Sequence, residues 1–257
     1  MPDKNNLTIN SAIQSYKTAI GYILKDCTFD ITSEHIKIDK YLLILFTRII
    51  TLSDAILNNI SNSIYCAIQP LLRILIEAHI QFINLTKDIN KTKQIDYEAC
   101  NRTLQLLISL EEIDEYAEYI DQDKHNAKKS ELKKLLEDLK KYKSNIEKKF
   151  DTIGLTPLYS ALYRPLSLHV HNNLRALESL HLVTKDNSSV IVPFKSLHID
   201  EMMSYIFTAL KIMTSDAIIL NLYFDSRLFP SLPEALSEFE KFQQFYFNKF
   251  PPSKDIP

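Results

Sequence analysis

Glycine occurs twice in 257 residues, and that scarcity constrains the fold more than any other feature. Tight hairpin turns need positive φ, which glycine supplies at little steric cost. A chain of this length built mainly from strands would need many such turns. Dinucleotide and P-loop sites cradle phosphates with glycine clusters, and the sequence contains none. Apolar residues make up 46% of the chain, which is ample for a sizeable core. No Pro/Gly/Ser-rich linker divides it. The expectation is an all-α bundle in one domain over residues 1–257.

The formal net charge is -2, so the chain lacks the global basic bias of sequence-independent nucleic-acid binders, although a local patch remains open. Cys27, Cys66 and Cys100 are far apart and form no CxxC pair. They read as reduced core residues of a cytosolic protein, with no zinc knuckle or disulfide framework. The start, Pro2-Asp3-Lys4-Asn5-Asn6, carries no apolar secretory core. Apolar stretches such as Tyr41 to Ile50 read as too short or too interrupted to span a membrane. The expected setting is a soluble, cytoplasmic protein.

Apolar periodicity predicts a helix over Asn6 to Lys25 and a second, capped by Thr32 or Ser33, to about Ile60. A third runs from Asn62 to about Thr86, with a kink or restart at Pro70, and a fourth from Lys91 to Ile120. Residues 111–150 are dense in Glu, Asp and Lys, with Leu132, Leu135, Leu136 and Leu139 keeping a helical stripe. They read as a long charged helical arm, either a solvated hairpin or a contact for a partner. Thr156-Pro157 is a helix start, Thr as N-cap and Pro first, and that helix should run to about His181 with a kink at Pro165. Asp186 to Ser189 reads as a turn, and Val190-Ile191-Val192 as the one plausible strand. Paired with Leu182 to Thr184, it would make a tiny hairpin within 182–195. Helices from Ser196 or His198 to Phe224 and from Ser231 to Asn248 close the chain, and Pro251-Pro252 begins a loose tail.

Of seven histidines, His169, His171 and His181 fall in one expected helix, with Arg164 before them. Arg164 and His171 are seven positions apart, about two turns, so they share a helix face. His169 points elsewhere. Ser167 lies on the same stripe and Tyr163 at its edge. Such a pair suits metal-free cleavage of RNA. Histidine can move a proton to or from the 2′-hydroxyl or the leaving oxygen, and arginine can hold the phosphate. One histidine cannot easily be both acid and base, so a homodimer that joins two stripes is expected. Pro165 disfavours helical geometry at Arg164. The same pair would also arise in a bundle with a purely structural histidine.

A second group is Arg73-Ile-Leu-Ile-Glu77-Ala-His79. Arg73 and Glu77 share a face of a very apolar helix. They form either an internal ion pair or a support for the Arg164/His171 stripe, with Glu77 orienting His171. His79 lies on another face, and no metal or cofactor signature is present.

Two segments carry a resemblance. Ala67 to Glu77 is similar to the "A-x3-L-x-R-x-L-x-E" helix of the bacterial family called domain of unknown function 5677. Tyr163 to His171 is similar to that family's "Y-[RK]-x-L-S-x3-H" signature. The resemblance implies family positions at Arg73, Glu77, Tyr163, Arg164, Ser167 and His171, not at His169, within an outline of about Asn58 to Leu180. Pro70 and Pro165 depart from its pattern. The arrangement also resembles the HEPN (higher eukaryotes and prokaryotes nucleotide-binding) ribonucleases, whose Arg-x4-6-His motif sits at a dimer interface. Their residue after arginine is commonly polar, and here it is Pro165. That resemblance implies an endoribonuclease serving as a toxin or phage-defence effector, with His171 and Arg164 catalytic and Ser167, Tyr163, Glu77 and Arg73 supporting. The alternative expectation is a non-catalytic interaction or sensor module of such a system. It would bind a protein through the 111–150 arm or a nucleotide in the Arg73/Glu77/His171 pocket.

Overall fold

A computed structural model describes residues 4–26, 29, 37–113, 121–171, 173–185, 188–192, 195–224 and 228–249. The Thr32/Ser33 cap, the end of the fourth helix beyond 113, Asp186, Asn187 and the Pro251-Pro252 tail lie outside them. Among the described residues the chain is all-α apart from one two-stranded hairpin. Its helices are α1 (Lys4–Lys25), α2 (Lys37–Ser61), α3 (Ile68–Lys87), α4 (Lys91–Glu111), α5 (Gln122–Leu139) and α6 (Ile146–Thr152). A single turn α7 (Thr156–Leu158), a π-helical turn (Tyr159–Tyr163) and α8 (Arg164–Val170) follow, then α9 (Leu174–His181). The strands β1 (Leu182–Lys185) and β2 (Ser188–Ile191) precede α10 (Ile199–Tyr223) and α11 (Leu232–Lys249).

The long helices α2, α3 and α10 pack on one another, and α1 and α11 pair against α10. Their apolar stripes meet in a core that includes Phe46, Phe82, Phe229, Leu42, Leu72 and Met213. The rings of Phe46 and Phe229 lie 5.1 Å apart. A fully buried Phe or Leu contributes about 1.5–3 kcal/mol through loss of apolar contact with water, so this helix interface dominates stability. From α1, the buried Tyr16 hydroxyl reaches across it and donates to the Ser53 carbonyl at 3.0 Å.

The sequence locates most elements, and the differences have local causes. Pro70 does mark a restart. A 3-10 turn (Tyr65–Ala67) leads into α3, and Pro70 sits in its first turn, where a missing N–H costs little. Leu155, not Thr156, holds the N-cap position of α7. The Thr156 hydroxyl instead donates to the Asp151 carboxylate at 3.1 Å. The expected helix from Thr156 to His181 is broken after Val170, because Asn173 adopts extended backbone and its side chain caps a new helix at the Arg175 N–H. Pro165 does not displace Arg164, which stays helical at φ -63°, ψ -45°. The preceding π turn sends the Arg164 N–H to the Tyr159 carbonyl. This wider turn relieves the clash that a proline ring makes with the carbonyl four residues back.

The expected hairpin forms, with Leu182 opposite Ile191 and Val183 opposite Val190. Ser188 and Ser189, read as turn residues, belong to β2. His198 caps α10 in a reciprocal capping box with Glu201. Cys66 is exposed and Cys100 half-buried, so neither is the core residue the sequence suggested. Tyr65 to Ala67 is a short turn at the surface end of α3, which leaves Cys66 outside the packed stripe.

Three helical stretches, Lys37–Ser61, Tyr65–Lys87 and Ile199–Tyr223, are long and apolar enough to cross a membrane by length and composition. This corrects the reading that the apolar runs are too short. That reading stopped at single charged residues, whereas each helix continues through them. About half of each apolar window (50%, 50% and 56%) is buried inside the fold.

The stretch expected as a charged arm over 111–150 contains α5, a 3-10 turn (Lys140–Tyr142) and most of α6, and α5 packs along α4. Glu111 anchors it, bonding to Lys129 Nζ at 2.7 Å and lying 3.0 Å from the buried His125 Nε2. The Lys129 ammonium holds the Glu111 carboxyl below its ordinary range. Of the leucine stripe, Leu132 is buried while Leu135 is exposed.

Candidate functional site

The segments that carry the two signatures meet in space. The apolar stripe of α3 (Leu72, Leu75, Ile76) is driven into the core, which turns Arg73 and Glu77, one turn apart, toward α8. Arg73 Nε donates to Ser167 Oγ at 3.1 Å. A terminal nitrogen of the same guanidinium donates to the Tyr163 hydroxyl at 3.0 Å and lies 2.9 Å from Glu77 Oε1. The Tyr163 hydroxyl in turn donates to Glu77 Oε1, and the Ser167 hydroxyl donates to the Tyr163 carbonyl at 3.0 Å. The guanidinium carbon also sits 5.2 Å from the centre of the Tyr163 ring.

Every member of this cluster is engaged by another. Arg73 and Glu77 are largely shielded, with side-chain exposures of 19% and 35%. Shielding strengthens such bonds, and a half-satisfied network would be costly. Burial, then the Glu77 carboxylate, push the Tyr163 phenol up to about 12, so it stays protonated and remains the donor to Glu77. Behind it, Phe150 of α6 packs its ring 5.4 Å from Tyr159 and 5.3 Å from Tyr163, whose rings stack on each other at 5.5 Å. The base of the arm is thereby fastened to the same tyrosine. The cluster is a clamp that fixes α8 on α3.

Arg164 and His171 stand at the two ends of α8, and both are exposed. Neither side chain joins the clamp by a hydrogen bond or ion pair among the described residues. His171 follows the last helical residue at φ -95°, ψ 21°, and its backbone N–H reaches the Ser167 carbonyl at 3.3 Å. Four of the six expected positions (Arg73, Glu77, Tyr163 and Ser167) are therefore brought together. The other two share the helix that those four hold. Glu77 turns to Tyr163 and Arg73, not to His171. His169, on the other face of α8, is half-buried with no hydrogen bond to Nδ1 among the described residues. Burial lowers the pKa of its imidazole.

Two groupings were not legible beforehand. His79 Nδ1 lies 2.9 Å from both carboxylate oxygens of Asp216, a fully buried residue of α10. The partners are 137 residues apart, and only packing of α3 on α10 joins them. Lys91, Lys141, Lys143 and Lys148 converge with Tyr142 around a hollow of about 440 Å³. Lys93 and Lys141 each place an ammonium 5.2 Å from the Tyr142 ring centre. The run Lys140-Lys141-Tyr142-Lys143 could have signalled this patch, but the alternating charges of the arm masked it.

A comparison with protein families matches residues 39–189 to the family of unknown function DUF5677. The chain belongs to this family. The matched range holds all six signature positions and extends beyond the Asn58 to Leu180 outline expected from the sequence. No curated protein and no solved structure matches the chain. Membership of DUF5677 thus fixes kinship, and the chemistry must be argued from the side chains.

Proposed function

We propose that this chain is a HEPN-like, metal-independent endoribonuclease in which Arg164 and His171 act on an RNA phosphodiester. The observation that carries the reading is the exposure of both residues at the ends of one short helix that a part-buried polar clamp holds in place. The clamp engages Nε and one terminal nitrogen of Arg73 internally, which suits a positioning role, while the exposed Arg164 is placed to meet a phosphate. In the reaction His171 of one protomer takes the proton of a 2′-hydroxyl as the 2′-oxygen attacks phosphorus. A new P–O2′ bond forms and the P–O5′ bond breaks. His171 of the second protomer gives its proton to the leaving 5′-oxygen. Arg164 offsets charge on the non-bridging oxygens. The products are a 2′,3′-cyclic phosphate and a 5′-hydroxyl. The lysine-lined hollow beside Tyr142 offers RNA phosphates further binding. Service as a toxin or phage-defence effector in the cytoplasm is part of this proposal.

Growth of cells induced to make the wild-type chain, compared with R164A/H171A at equal folded abundance, tests the reading in vivo. Arrest by the wild type alone is expected. Equal arrest by both would overturn the assigned residues.

A second reading, a non-catalytic interaction module, draws on the arm. Leu106 of α4 and Leu135 of α5 are exposed at 59% and 39% among its charged side chains, a pattern suited to a protein partner. It predicts that loss of His171 damages folding or partner capture but removes no catalytic activity.

A further inference from the structure

A cavity of about 330 Å³ opens between α3, α10 and the segment around α7, away from the Arg73 clamp. Its walls are mainly apolar, with Ile76, Leu158, Leu162 and Phe207 among them. Its polar members are His79, Lys211, Thr208 and Ser215. His79 is only 9% exposed. Its Nδ1 is taken by Asp216, so Nε2 is the ring nitrogen left for whatever enters the cavity that His79 lines. Burying a carboxylate costs several kcal/mol even when it is paired. An Asp behind an imidazole fixes the ring's orientation and tautomer, as outer carboxylates do for working histidines. Lys211 is exposed and bonds to no acid among the described residues. Among the described residues no carboxylate lines the cavity.

We propose that this cavity binds a small amphipathic carboxylate, its apolar body between Leu158, Leu162 and Phe207 and its head on the Lys211 ammonium and the Ser215 hydroxyl, one turn apart on α10. The size suits a small ligand, since ordinary ligand pockets run from about 300 to 1,000 Å³. The lone cation and the absence of an acid select an anion over a neutral molecule. The polar groups are too few for a sugar or a nucleotide. The site does not depend on the ribonuclease reading and would stand if that reading failed.

Calorimetric titration of the full chain with sodium octanoate, and with 1-octanol as the uncharged probe of equal length, tests this. Saturable binding of one octanoate per chain is expected, at least tenfold tighter than octanol. Lys211→Ala should weaken octanoate about tenfold. Leu158→Trp, which fills the apolar end and leaves the His79–Asp216 pair intact, should abolish binding with an unchanged far-UV circular dichroism spectrum. Absence of saturable binding, octanol binding as tightly as octanoate, or unchanged binding by L158W would each overturn the proposal.

Discussion

Tyr163 stands between a guanidinium and a carboxylate, and its hydroxyl both accepts from Arg73 and donates to Glu77. Its phenol is pushed up to about 12 by burial and then by Glu77. The unfolded phenol titrates near 10. The folded state therefore holds this proton more tightly, and the stability it contributes is complete below about pH 10 and lost as pH rises toward about 12. The difference in phenolate absorbance between wild type and Tyr163→Phe should show a midpoint near 12. A midpoint near 10 would mean that Tyr163 is free of Glu77. The same substitution removes two hydrogen bonds while leaving the Arg73–Glu77 pair, and should cost about 1–2 kcal/mol in urea unfolding. Ser167→Ala, which frees Arg73 Nε, should cost about 1 kcal/mol.

Among the elements, α8 is short and depends on what flanks it. Asn173 ends the break after it by capping α9, and Asn173→Ala should lower stability by about 1 kcal/mol. Gly154 turns the chain between α6 and α7 at φ +77°. Nothing crowds the place of a Cβ there, so Gly154→Ala should cost about 1–2 kcal/mol through backbone strain alone. Thermal melting of each variant checks both values. The same elements mark what the sequence could reveal. The restart at Pro70 and the shared face of Arg73 and Glu77 follow from rules acting within a few residues, and the hairpin from a turn followed by a short β-branched run. The π turn before Arg164 has no such signal. It arises because Tyr159 and Tyr163 must stack beside Phe150 while a proline follows, which is a tertiary demand. The meeting of Arg73 and Glu77 with the stripe that carries Tyr163 and Ser167 was one of two readings of the residues, and which bonds join them is a tertiary matter.

For the whole molecule, long-range polar pairs decide how the bundle closes. His79 and Asp216 tie α3 to α10 in the core, and no local pattern links residues that far apart. Removing one partner of a buried pair strands the other, so His79→Leu or Asp216→Leu should each cost about 3–5 kcal/mol. The double variant should cost clearly less than the sum, because no charge is left unpartnered. Additive losses in chemical denaturation would show that the two side chains do not interact. The clamp and this pair hold opposite faces of α3. That leaves α8 fixed on one side, with Arg164 and His171 turned outward.

The central claim is that those two residues cleave RNA. Incubation of purified protein with an end-labelled RNA in EDTA, followed by analysis of the product ends, tests it directly. The account predicts 2′,3′-cyclic phosphate and 5′-hydroxyl ends from the wild type, with losses of at least 100-fold in both Arg164→Ala and His171→Ala while each variant keeps the wild-type melting temperature. Cleavage that persists in His171→Ala, or no cleavage by the wild type at any concentration that supports dimers, would contradict it.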